Sequence, residues 1–270
     1  MFSTFFQSST VSKTTVATSN TIMVDVHSHL LPHFDDGVDN FNQSIQLVVE
    51  FQKMGYKKLV LTPHIMQGYY ERSVEELTAQ ADELQFLLKR SGIPMVLDLA
   101  AEYYLDDYFF ELLESKKPLL TLQKNNRYLL VETSFVAKKE FIFNALERIV
   151  DAGYIPVLSH PESYSFLKDD LELLRELRMK GMLFQVNINS LIGYYSKQAR
   201  QNAELLINQR LVSFVGTDCR SFSQLTYLRK AMITSAYDTV CRQDLLNNSF
   251  LNSSNSSQNI TRENRSTFVS

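Results

Sequence analysis

Cysteine is scarce in this 270-residue chain, and neither sign of charge is in clear excess. The two cysteines, Cys219 and Cys241, do not form a Cys-x-x-Cys pair. That spacing argues against a disulfide framework or a cysteine-ligated zinc site, and the low count is typical of a reducing, cytoplasmic compartment. Lysine and arginine number 27 against 30 acidic residues, for a net charge of -3. A nucleic-acid-binding surface needs a basic excess, so the sequence argues against a nucleic-acid partner.

Long hydrophobic runs are also missing. No apolar run approaches the roughly 18 residues that a membrane-spanning helix needs, so we predict no direct membrane insertion. The first residues are rich in Ser and Thr after Phe2, Phe5 and Phe6, and they lack the charged start and apolar stretch of a secretory signal. We therefore predict a flexible leader over residues 1–21, one domain over 22–246, and a disordered Ser/Asn-rich tail over 247–270.

Short apolar runs recur through the predicted domain, and each has the length of a buried strand. They cover residues 23–26, 58–61, 95–100, 128–131, 155–158, 183–186 and 212–215. Amphipathic helical stripes lie between several of them, and Gly55, Gly92 and Gly153 follow three of the stripes, as expected at helix ends. Asp169 and Asp170 can cap a further helix. Alternating strands and helices predict an α/β fold with parallel strands.

Polar side chains follow nearly every predicted strand at its carboxyl end, and they favour a closed barrel over an open, doubly wound sheet. A barrel gathers such residues around one mouth, whereas an open sheet spreads them along a line. We therefore predict a TIM-like barrel with a metal site at the carboxyl ends of its strands. The residues at these positions are His27, His29, His64, Glu102, Glu132, His160, Asn187 and Asp218.

Four of the five histidines belong to this set. His27 and His29 form a His-x-His pair, and residues two apart in a strand point to the same side, so both rings can bind one ion. His64 follows a Thr-Pro pair and His160 precedes a proline, and both prolines hold the backbone extended there. His33 is better explained as a loop residue than as a ligand.

Carboxylates complete the predicted site. Glu102 and Glu132 each close an apolar strand and need a partner to offset their burial. Asp35 and Asp36 precede a glycine, so they could form a turn, and only one of them needs to bind metal. Imidazole and carboxylate ligands without thiolate favour Zn²⁺, Mn²⁺, Fe²⁺ or similar ions. The number of candidates suits two or three ions, which can activate water and hold the oxygens of a displacement at phosphorus.

An ordered set of motifs makes the sequence recognisable. Asp-Val-His-Ser-His (25–29), Asp-Asp-Gly (35–37), Thr-Pro-His (62–64), Glu102, His-Pro-Glu (160–162) and Thr-Asp (217–218) occur in this order. They resemble the polymerase and histidinol phosphatase (PHP) superfamily. More closely, the chain resembles the bacterial PHP-type protein-tyrosine phosphatases of capsule and exopolysaccharide loci, over about residues 22–235, and Gln185 and Asn187 fit that subgroup.

The resemblance implies a distorted (βα)7 barrel and a trinuclear centre, usually Mn²⁺, with Zn²⁺, Fe²⁺, Co²⁺ or Mg²⁺ as alternatives. A metal-bridging hydroxide would attack phosphotyrosine on the tyrosine-rich tail of a membrane-associated kinase that drives polysaccharide export. Carried over by position, the resemblance assigns one ion to His27, His29, Glu102 and Asp218. It assigns a second ion to Glu102, His64 and His160, and a third region to Asp36 and Glu132. The implied ligands are His27, His29, Glu102, Asp218, His64, His160, Asp36 and Glu132.

Two positions depart from the family pattern. Arg220 stands where the family carries a metal-binding histidine, and Ser163 stands where it tends to carry a phosphate-binding arginine. Arginine stays protonated and cannot bind a metal ion, but its guanidinium can bind phosphate oxygens. We therefore expect Arg220 and Asp36 to act in catalysis, with Arg220 as a substitute cation beside a weak or empty third metal position.

Two alternatives stay open from the sequence. One is a phosphatase of small molecules, of the histidinol-phosphate type. The other is a weakened PHP protein that is kept as a regulatory binding module, which the two departures at Ser163 and Arg220 would favour. The Asp-Asp-Gly motif and the segment from Gln185 to Asn187 favour a protein-tyrosine phosphatase over the small-molecule enzyme.

Overall fold

The computed structural model describes residues 21–123, 127–167 and 170–251. These residues form an α/β fold with parallel strands, as predicted. The strands are β1 (Val24–Ser28), β2 (Lys58–Leu61), β3 (His64–Ile65), β4 (Val96–Leu99), β5 (Glu102–Tyr104), β6 (Tyr128–Glu132), β7 (Ile155–Ser159), β8 (Leu183–Asn187) and β9 (Val212–Gly216). The helices are α1 (Phe41–Lys53), α2 (Val74–Arg90), α3 (Asp107–Glu114), α4 (Lys139–Asp151), α5 (Leu171–Met179), α6 (Lys197–Asn208), α7 (Phe222–Ala231) and α8 (Ser235–Cys241).

Helix ends follow local signals in the sequence. Gly55, Gly92 and Gly153 lie just past α1, α2 and α4 with φ of 97°, 69° and 78°, which is the left-handed conformation that glycine adopts at low cost. Asp170 caps α5 by accepting a hydrogen bond from Leu173 N at 2.9 Å. Its neighbour Asp169, the other predicted cap, lies outside the described residues.

The described strands form two parallel sheets rather than one closed barrel. One sheet has the order β1-β2-β4, and the other has the order β3-β5-β6-β7-β8-β9. Two short strands, β3 and β5, were not predicted; they follow β2 and β4, which match the runs predicted at 58–61 and 95–100. Between β2 and β3, Pro63 has no N–H to donate to a ladder, although its carbonyl accepts from Glu102 N at 3.1 Å. The sequence prediction of a single closed barrel is not confirmed.

The two sheets meet again where β1 approaches the end of β9. Asp218 N donates to His27 O and His29 N donates to Cys219 O, both at 2.9 Å, and Ser28 forms an isolated parallel bridge with Cys219. These bonds bring the carboxyl ends of the first and last strands together. The residues that follow the strands at that end therefore face a common space.

The hydrophobic core has two parts, one packed between strands and helices and one enclosed by the strands. We call the second part the inner cluster. Side chains from β1, β2, β6, β7, β8 and β9 contribute to it, together with three residues outside the strands, Ala100, Leu122 and Phe250. Its members are Val24, Val26, Val60, Ala100, Leu122, Leu130, Val157, Leu183, Phe214 and Phe250.

The predicted tail begins too early at residue 247, because Asn247–Phe250 forms a 3-10 turn that packs on the domain. The buried Asn247 side chain donates to Val24 O at 3.0 Å and to Val215 O at 2.7 Å, so it joins β1 to β9. Phe250 is buried against Tyr128 and Phe214. Residues 252–270 of the predicted tail and 1–20 of the predicted leader lie outside the described residues. Within the described residues, no helix is long and apolar enough to cross a membrane.

Candidate metal centre

Glu102 lies at the centre of the polar residues that gather at the carboxyl ends of the strands. Its side chain is fully buried. Its Oε2 lies 3.1 Å from His27 Nε2, 3.5 Å from His29 Nε2 and 3.3 Å from His64 Nδ1, and its Oε1 lies 3.2 Å from His160 Nε2. One carboxylate therefore faces all four histidines that the sequence places at strand ends.

Electrostatics at this centre are dominated by close opposite charges. Burial alone would raise the pKa of Glu102, but the neighbouring His27 and His64 hold it well below its usual value. Burial would lower the pKa of His160, but its contact with Glu102 raises it to about 9. The centre is thus a place where proton and cation binding compete.

The chain offers three groups of potential ligand atoms within 4.8 Å of one another among the described residues. Together they contain seven of the eight predicted ligands, all except His160, which contacts Glu102 directly. They also contain Asp35. The groups are His29, Asp35, Asp36 and His64; His27, His29 and Asp218; and His64, Glu102 and Glu132. His33 is exposed and belongs to none of them.

The geometry of the buried ligand atoms fits metal ions better than it fits hydrogen bonding alone. Glu102 Oε1, His64 Nδ1 and His160 Nδ1 are buried and have no hydrogen-bond partner of acceptable geometry. The Nε2 atoms of His27 and His29 point at each other at 3.1 Å. Buried polar atoms without partners are costly, so this arrangement suits atoms that share a cation. Imidazole and carboxylate donors without thiolate suit first-row divalent ions.

Two ligands sit on unusual backbone. His160 has a φ of 35° and Asp218 has a φ of 48°, in the left-handed region that residues other than glycine rarely adopt. His160 directly follows β7, and Asp218 lies two residues after the end of β9. Asp218 is held there by Asn187 Nδ2, which donates to its Oδ2 at 2.9 Å. Such backbone strain is characteristic of sites where function dictates the conformation.

Asp35 has a role that the sequence left open. Its buried carboxylate lies 2.6 Å from His29 Nδ1 and also accepts from Gly37 N and His64 N. Asp35 therefore orients His29 so that its Nε2 faces Glu102 and Asp218, in the way that carboxylates orient metal-binding histidines. The adjacent Asp36 is exposed, and its Oδ1 lies 3.8 Å from His64 Nε2.

Gln185 orients His27 in the same way, through a contact of 2.6 Å between His27 Nδ1 and Gln185 Oε1. Gln185 Nε2 donates onward to Asn187 Oδ1 at 2.9 Å. Gly216 makes this packing feasible, because a Cβ there would lie 2.7 Å from His27 Cβ and 2.8 Å from Gln185 Nε2. The sequence marked Gln185 only through the family resemblance, whereas Asn187 was also noted as a polar residue after a predicted strand; a supporting role of this kind has no local signal.

Arg220 reaches back into the site, as the sequence predicted. Its Nε and Nη2 donate to Asp218 Oδ1 at 3.1 and 2.9 Å, and its Nη1 contacts Asp36 Oδ1 and lies 3.0 Å from His64 Nε2. Burial would lower the pKa of Arg220, but Asp218 and the other carboxylates raise it above its ordinary value. The guanidinium therefore stays charged.

A cavity of about 380 Å³ opens over these residues. Predicted ligands form one part of its wall and aromatic or apolar side chains form another. Its lining consists of Asp36, His64, Met66, Tyr70, Glu132, Phe135, His160, Ser163, Asn187, Tyr195, Asp218 and Arg220. Substrate entering this cavity would meet the candidate metal groups directly.

Comparisons with known proteins agree with this site. The chain is 29% identical over 199 residues to the tyrosine-protein phosphatase YwqE of Bacillus subtilis, covering 74% of this chain and 78% of that protein. It is 27% identical over 226 residues to the tyrosine-protein phosphatase CpsB of Streptococcus pneumoniae, covering 82% and 90%. A solved structure described with YwqE and CpsB as metal-dependent tyrosine phosphatases aligns with a TM-score of 0.68 and 26% identity, covering 83% of this chain and 96% of that one.

The family comparison covers nearly the whole described domain. The model for capsular polysaccharide synthesis proteins CpsB/CapC matches residues 23–249, which include every residue of the candidate metal centre and the packed segment as far as residue 249. The chain therefore belongs to the CpsB/CapC family of capsular polysaccharide synthesis proteins.

Proposed function

We propose that this protein is a metal-dependent protein-tyrosine phosphatase. The observation that carries the proposal is the buried Glu102 carboxylate, which faces four histidines beneath a cavity that is partly aromatic. Relatives with this name in B. subtilis and S. pneumoniae support it. We further propose that the two sheets act together as the distorted barrel that the sequence predicted, joined through the bonds between β1 and the end of β9.

We propose that divalent ions bind at the candidate groups, with Glu102 shared between two of them. His27, His29, Glu102 and Asp218 would hold one ion, and His64, Glu102, Glu132 and His160 would surround the other. Bound ions of this kind would lower the pKa of water so that hydroxide, the nucleophile, forms near neutral pH. They would also neutralise charge on the phosphoryl oxygens. Mn²⁺ is our first candidate, and Zn²⁺, Fe²⁺, Co²⁺ and Mg²⁺ are the alternatives, since all accept this donor set.

The protein's own residues would then position the substrate. Asp35 and Gln185 hold the two histidines of the His-x-His pair in fixed orientations. The cationic Arg220 lines the cavity and attracts a phosphate dianion. Preorganised charges of this kind are a large source of catalysis because they need no rearrangement when charge develops.

Aromatic side chains favour a phosphate ester of an aromatic alcohol. Tyr70 and Phe135 line the same cavity as the candidate ligands, and Phe135 is 56% exposed, so part of its ring is accessible to a substrate. Stacked or edge-on aromatic pairs contribute roughly 0.5–1.5 kcal/mol beyond the area that they bury. A phosphotyrosine side chain would gain this contact, whereas the imidazole of histidinol phosphate lies beyond a longer aliphatic link.

The pKa values of both thiols argue against a mechanism with a cysteine nucleophile. Burial raises the pKa of the Cys219 thiol, and it also raises the pKa of Cys241. The thiolate is the nucleophilic form, so a raised pKa makes both groups poor nucleophiles. Neither cysteine lines the cavity over the metal centre.

The test of this proposal is hydrolysis of p-nitrophenyl phosphate and of a phosphotyrosyl peptide, before and after treatment with EDTA. We expect chelation to abolish activity and Mn²⁺ to restore it, and Cys219→Ser and Cys241→Ser to remain active. A higher kcat/KM for histidinol phosphate than for the phosphotyrosyl peptide would favour the small-molecule phosphatase instead. Activity that persists after thorough chelation would reject the metal mechanism.

A variant pair sharpens the substrate assignment. Phe135→Ala should raise KM for the phosphotyrosyl peptide by roughly threefold to tenfold, the equivalent of one aromatic contact. Phe86→Ala is the matched control, because Phe86 is 51% exposed on α2 and does not line the cavity. Equal KM values for the two variants would remove Phe135 from the substrate site.

The physiological substrate that we propose is the tyrosine-rich tail of a bacterial tyrosine kinase in polysaccharide export, in the cytoplasm. Membership of a capsular polysaccharide synthesis family supports this assignment, and two free cysteines suit a reducing compartment. Incubating the protein with phosphorylated kinase tail and following loss of phosphate from tyrosine would test it. A rate no higher than on an unrelated phosphotyrosyl peptide would argue against this partner.

A further inference from the structure

Arg220 lies inside one of the three ligand groups rather than beside them. Its Nη1 contacts Asp36 Oδ1 and lies 3.0 Å from His64 Nε2. Asp36 and His64 are both members of the group that also contains His29 and Asp35. The positive charge therefore occupies the place where these two side chains would otherwise meet a metal ion.

The remaining contacts hold the guanidinium firmly in that place. Nε and Nη2 both donate to Asp218 Oδ1. A guanidinium has five N–H groups, and the four contacts to Asp218, Asp36 and His64 leave one of them for another acceptor. The Arg220 side chain is 22% exposed, so the remaining donor can reach the cavity.

The contacts of His64 show why Arg220 and a metal ion cannot both occupy this position. Arginine only donates hydrogen bonds, so His64 Nε2 must accept from Arg220 and cannot bind an ion at the same time. In the same group, His29 Nδ1 is already in contact with Asp35 Oδ2 at 2.6 Å. His64 Nε2 is thus the nitrogen of this group that faces Asp36, and Arg220 occupies it.

We propose that Arg220 permanently replaces one metal ion, so that this protein works with two bound ions and a built-in cation where a histidine at position 220 would complete a third metal site. The inference rests on the proposed metal-dependent function. Its consequence is that one cationic position no longer depends on the supply of free metal.

The charges of the site agree with this arrangement. The three groups contain five carboxylates, from Asp35, Asp36, Glu102, Glu132 and Asp218. Two divalent ions and one guanidinium neutralise these five negative charges completely. A third divalent ion added to Arg220 would leave a net positive charge packed against a guanidinium, and charges that close repel strongly in a buried site.

The substrate role of Arg220 follows from its single remaining donor. Arg220 can offer the phosphate a fixed charge and one hydrogen bond, rather than the paired hydrogen bonds of an unengaged guanidinium. Removing it should therefore change the number of bound ions more clearly than it changes substrate binding. Metal stoichiometry is accordingly the main measurement, and kinetics is the second.

The experiment counts Mn²⁺ ions per chain by elemental analysis after saturation with Mn²⁺ and removal of free metal. We expect about two ions per chain for the wild type and for Arg220→Lys, which keeps the charge, and about three for Arg220→His, which supplies a ligand. Arg229→His is the matched control, because Arg229 pairs with Glu50 on the surface, and it should bind about two ions.

A second measurement covers the case in which Arg220→His does not fold. Arg220→Ala should gain thermal stability from millimolar Mn²⁺ beyond the concentration at which the wild type is saturated, because a weak third position becomes accessible. Three ions in the wild type, a folded Arg220→His with only two, or an Arg220→Ala without the additional stabilisation would each overturn the proposal. A wild type that binds no Mn²⁺ and hydrolyses no phosphate ester would reject the proposed function and this inference together, whereas an active wild type with three ions would reject this inference alone.

Discussion

The two ends of the strands are built on opposite principles, although the same strands supply both. At the amino end, the inner cluster is closed by Phe250, and the buried Lys58 Nζ is satisfied by Asp98 Oδ2 at 2.7 Å and by Phe250 O at 2.6 Å. At the carboxyl end, Glu102 and its histidines leave buried atoms without hydrogen-bond partners. One end is thus complete in itself, and the other presents buried ligand atoms that a cation could satisfy.

The change from apolar to polar side chains occurs along single strands. On β6, Leu130 belongs to the inner cluster and Glu132, two residues later, lines the mouth cavity. On β8, Leu183 belongs to the inner cluster, and Gln185 and Asn187 contact the candidate ligands His27 and Asp218. Residues two apart in a strand share a face, so one inward row passes from apolar packing to polar chemistry within two residues. The residues that pack the core and the residues of the candidate site therefore lie at opposite ends of the same strands.

The largest expected effect at the mouth is on catalysis. Glu102→Gln keeps the size of the side chain but removes the charge that faces four histidines, so metal binding should fail. We expect kcat/KM on p-nitrophenyl phosphate to fall by roughly a thousandfold or more, about 4 kcal/mol of transition-state stabilisation. Elemental analysis should show fewer ions per chain. A variant that kept both its metal and its activity would remove Glu102 from the centre of the site.

The largest expected effect at the closed end is on stability. Phe250→Ala opens a cavity among Tyr128, Phe214 and the inner cluster, which should lower the free energy of unfolding by about 3 kcal/mol. Urea unfolding followed by circular dichroism measures this change. The kcat of the folded fraction should match the wild type, because the two ends are separate. A large loss of kcat at unchanged stability would contradict the division between the ends.

A change just below the mouth should have an intermediate effect. Gln185→Ala removes the acceptor that orients His27 and leaves its Nδ1 without a partner. Loss of such a supporting contact commonly lowers metal affinity about tenfold to a hundredfold. Titration with Mn²⁺ under a competing chelator should show this decrease. Gln198→Ala, on the surface helix α6, is the control and should leave the affinity unchanged.

The smallest expected effect is a pH dependence confined to the metal-free protein. The pKa of His160 is raised from 6.5 to about 9, because its contact with Glu102 outweighs burial. A raised folded pKa adds stability that is complete below pH 6.5 and is lost as the pH rises through 9. The melting temperature of chelated protein should therefore fall by a few degrees between these limits.

His160→Gln provides the comparison for this pH dependence, since it cannot be protonated. Its melting temperature should change less over the same pH interval, measured by differential scanning fluorimetry in EDTA. A melting temperature of the chelated wild type that rises from pH 6.5 to 9 would contradict the assignment. The comparison tests whether His160 binds a proton when metal ions are removed.

Local patterns in the sequence were sufficient for most of the elements. Apolar runs of strand length mark β1, β2 and β6 to β9 within a residue or two, and glycines mark the ends of α1, α2 and α4. These features depend on neighbours in the chain, so periodicity and helix-end chemistry reveal them. The short strand β3 after Pro63 was not predicted, although the missing N–H of proline is a visible signal that β2 ends before it.

The sequence also placed the right residue types at the strand ends, but it did not separate their roles. Residue type alone left open which of Asp35 and Asp36 binds metal, and the family resemblance pointed to Asp36; the structure buries Asp35 against His29 and exposes Asp36. It assigned Asn247 to a disordered tail because its surroundings are rich in Ser and Asn. The side-chain amide of Asn247 donates to backbone carbonyls of β9 and β1, which are more than 30 and more than 200 residues away in the chain, respectively.

The sequence by itself determined the α/β class, the strand and helix segments, and the set of histidines and carboxylates, because each depends on residue type and short-range spacing. Only the tertiary structure decided that the strands form two sheets, that residues 247–251 close the amino end, and that Arg220 sits between Asp36 and His64. These outcomes depend on contacts between distant segments. Such contacts form only where strand twist, packing and charge are satisfied together, and no local pattern encodes that combination.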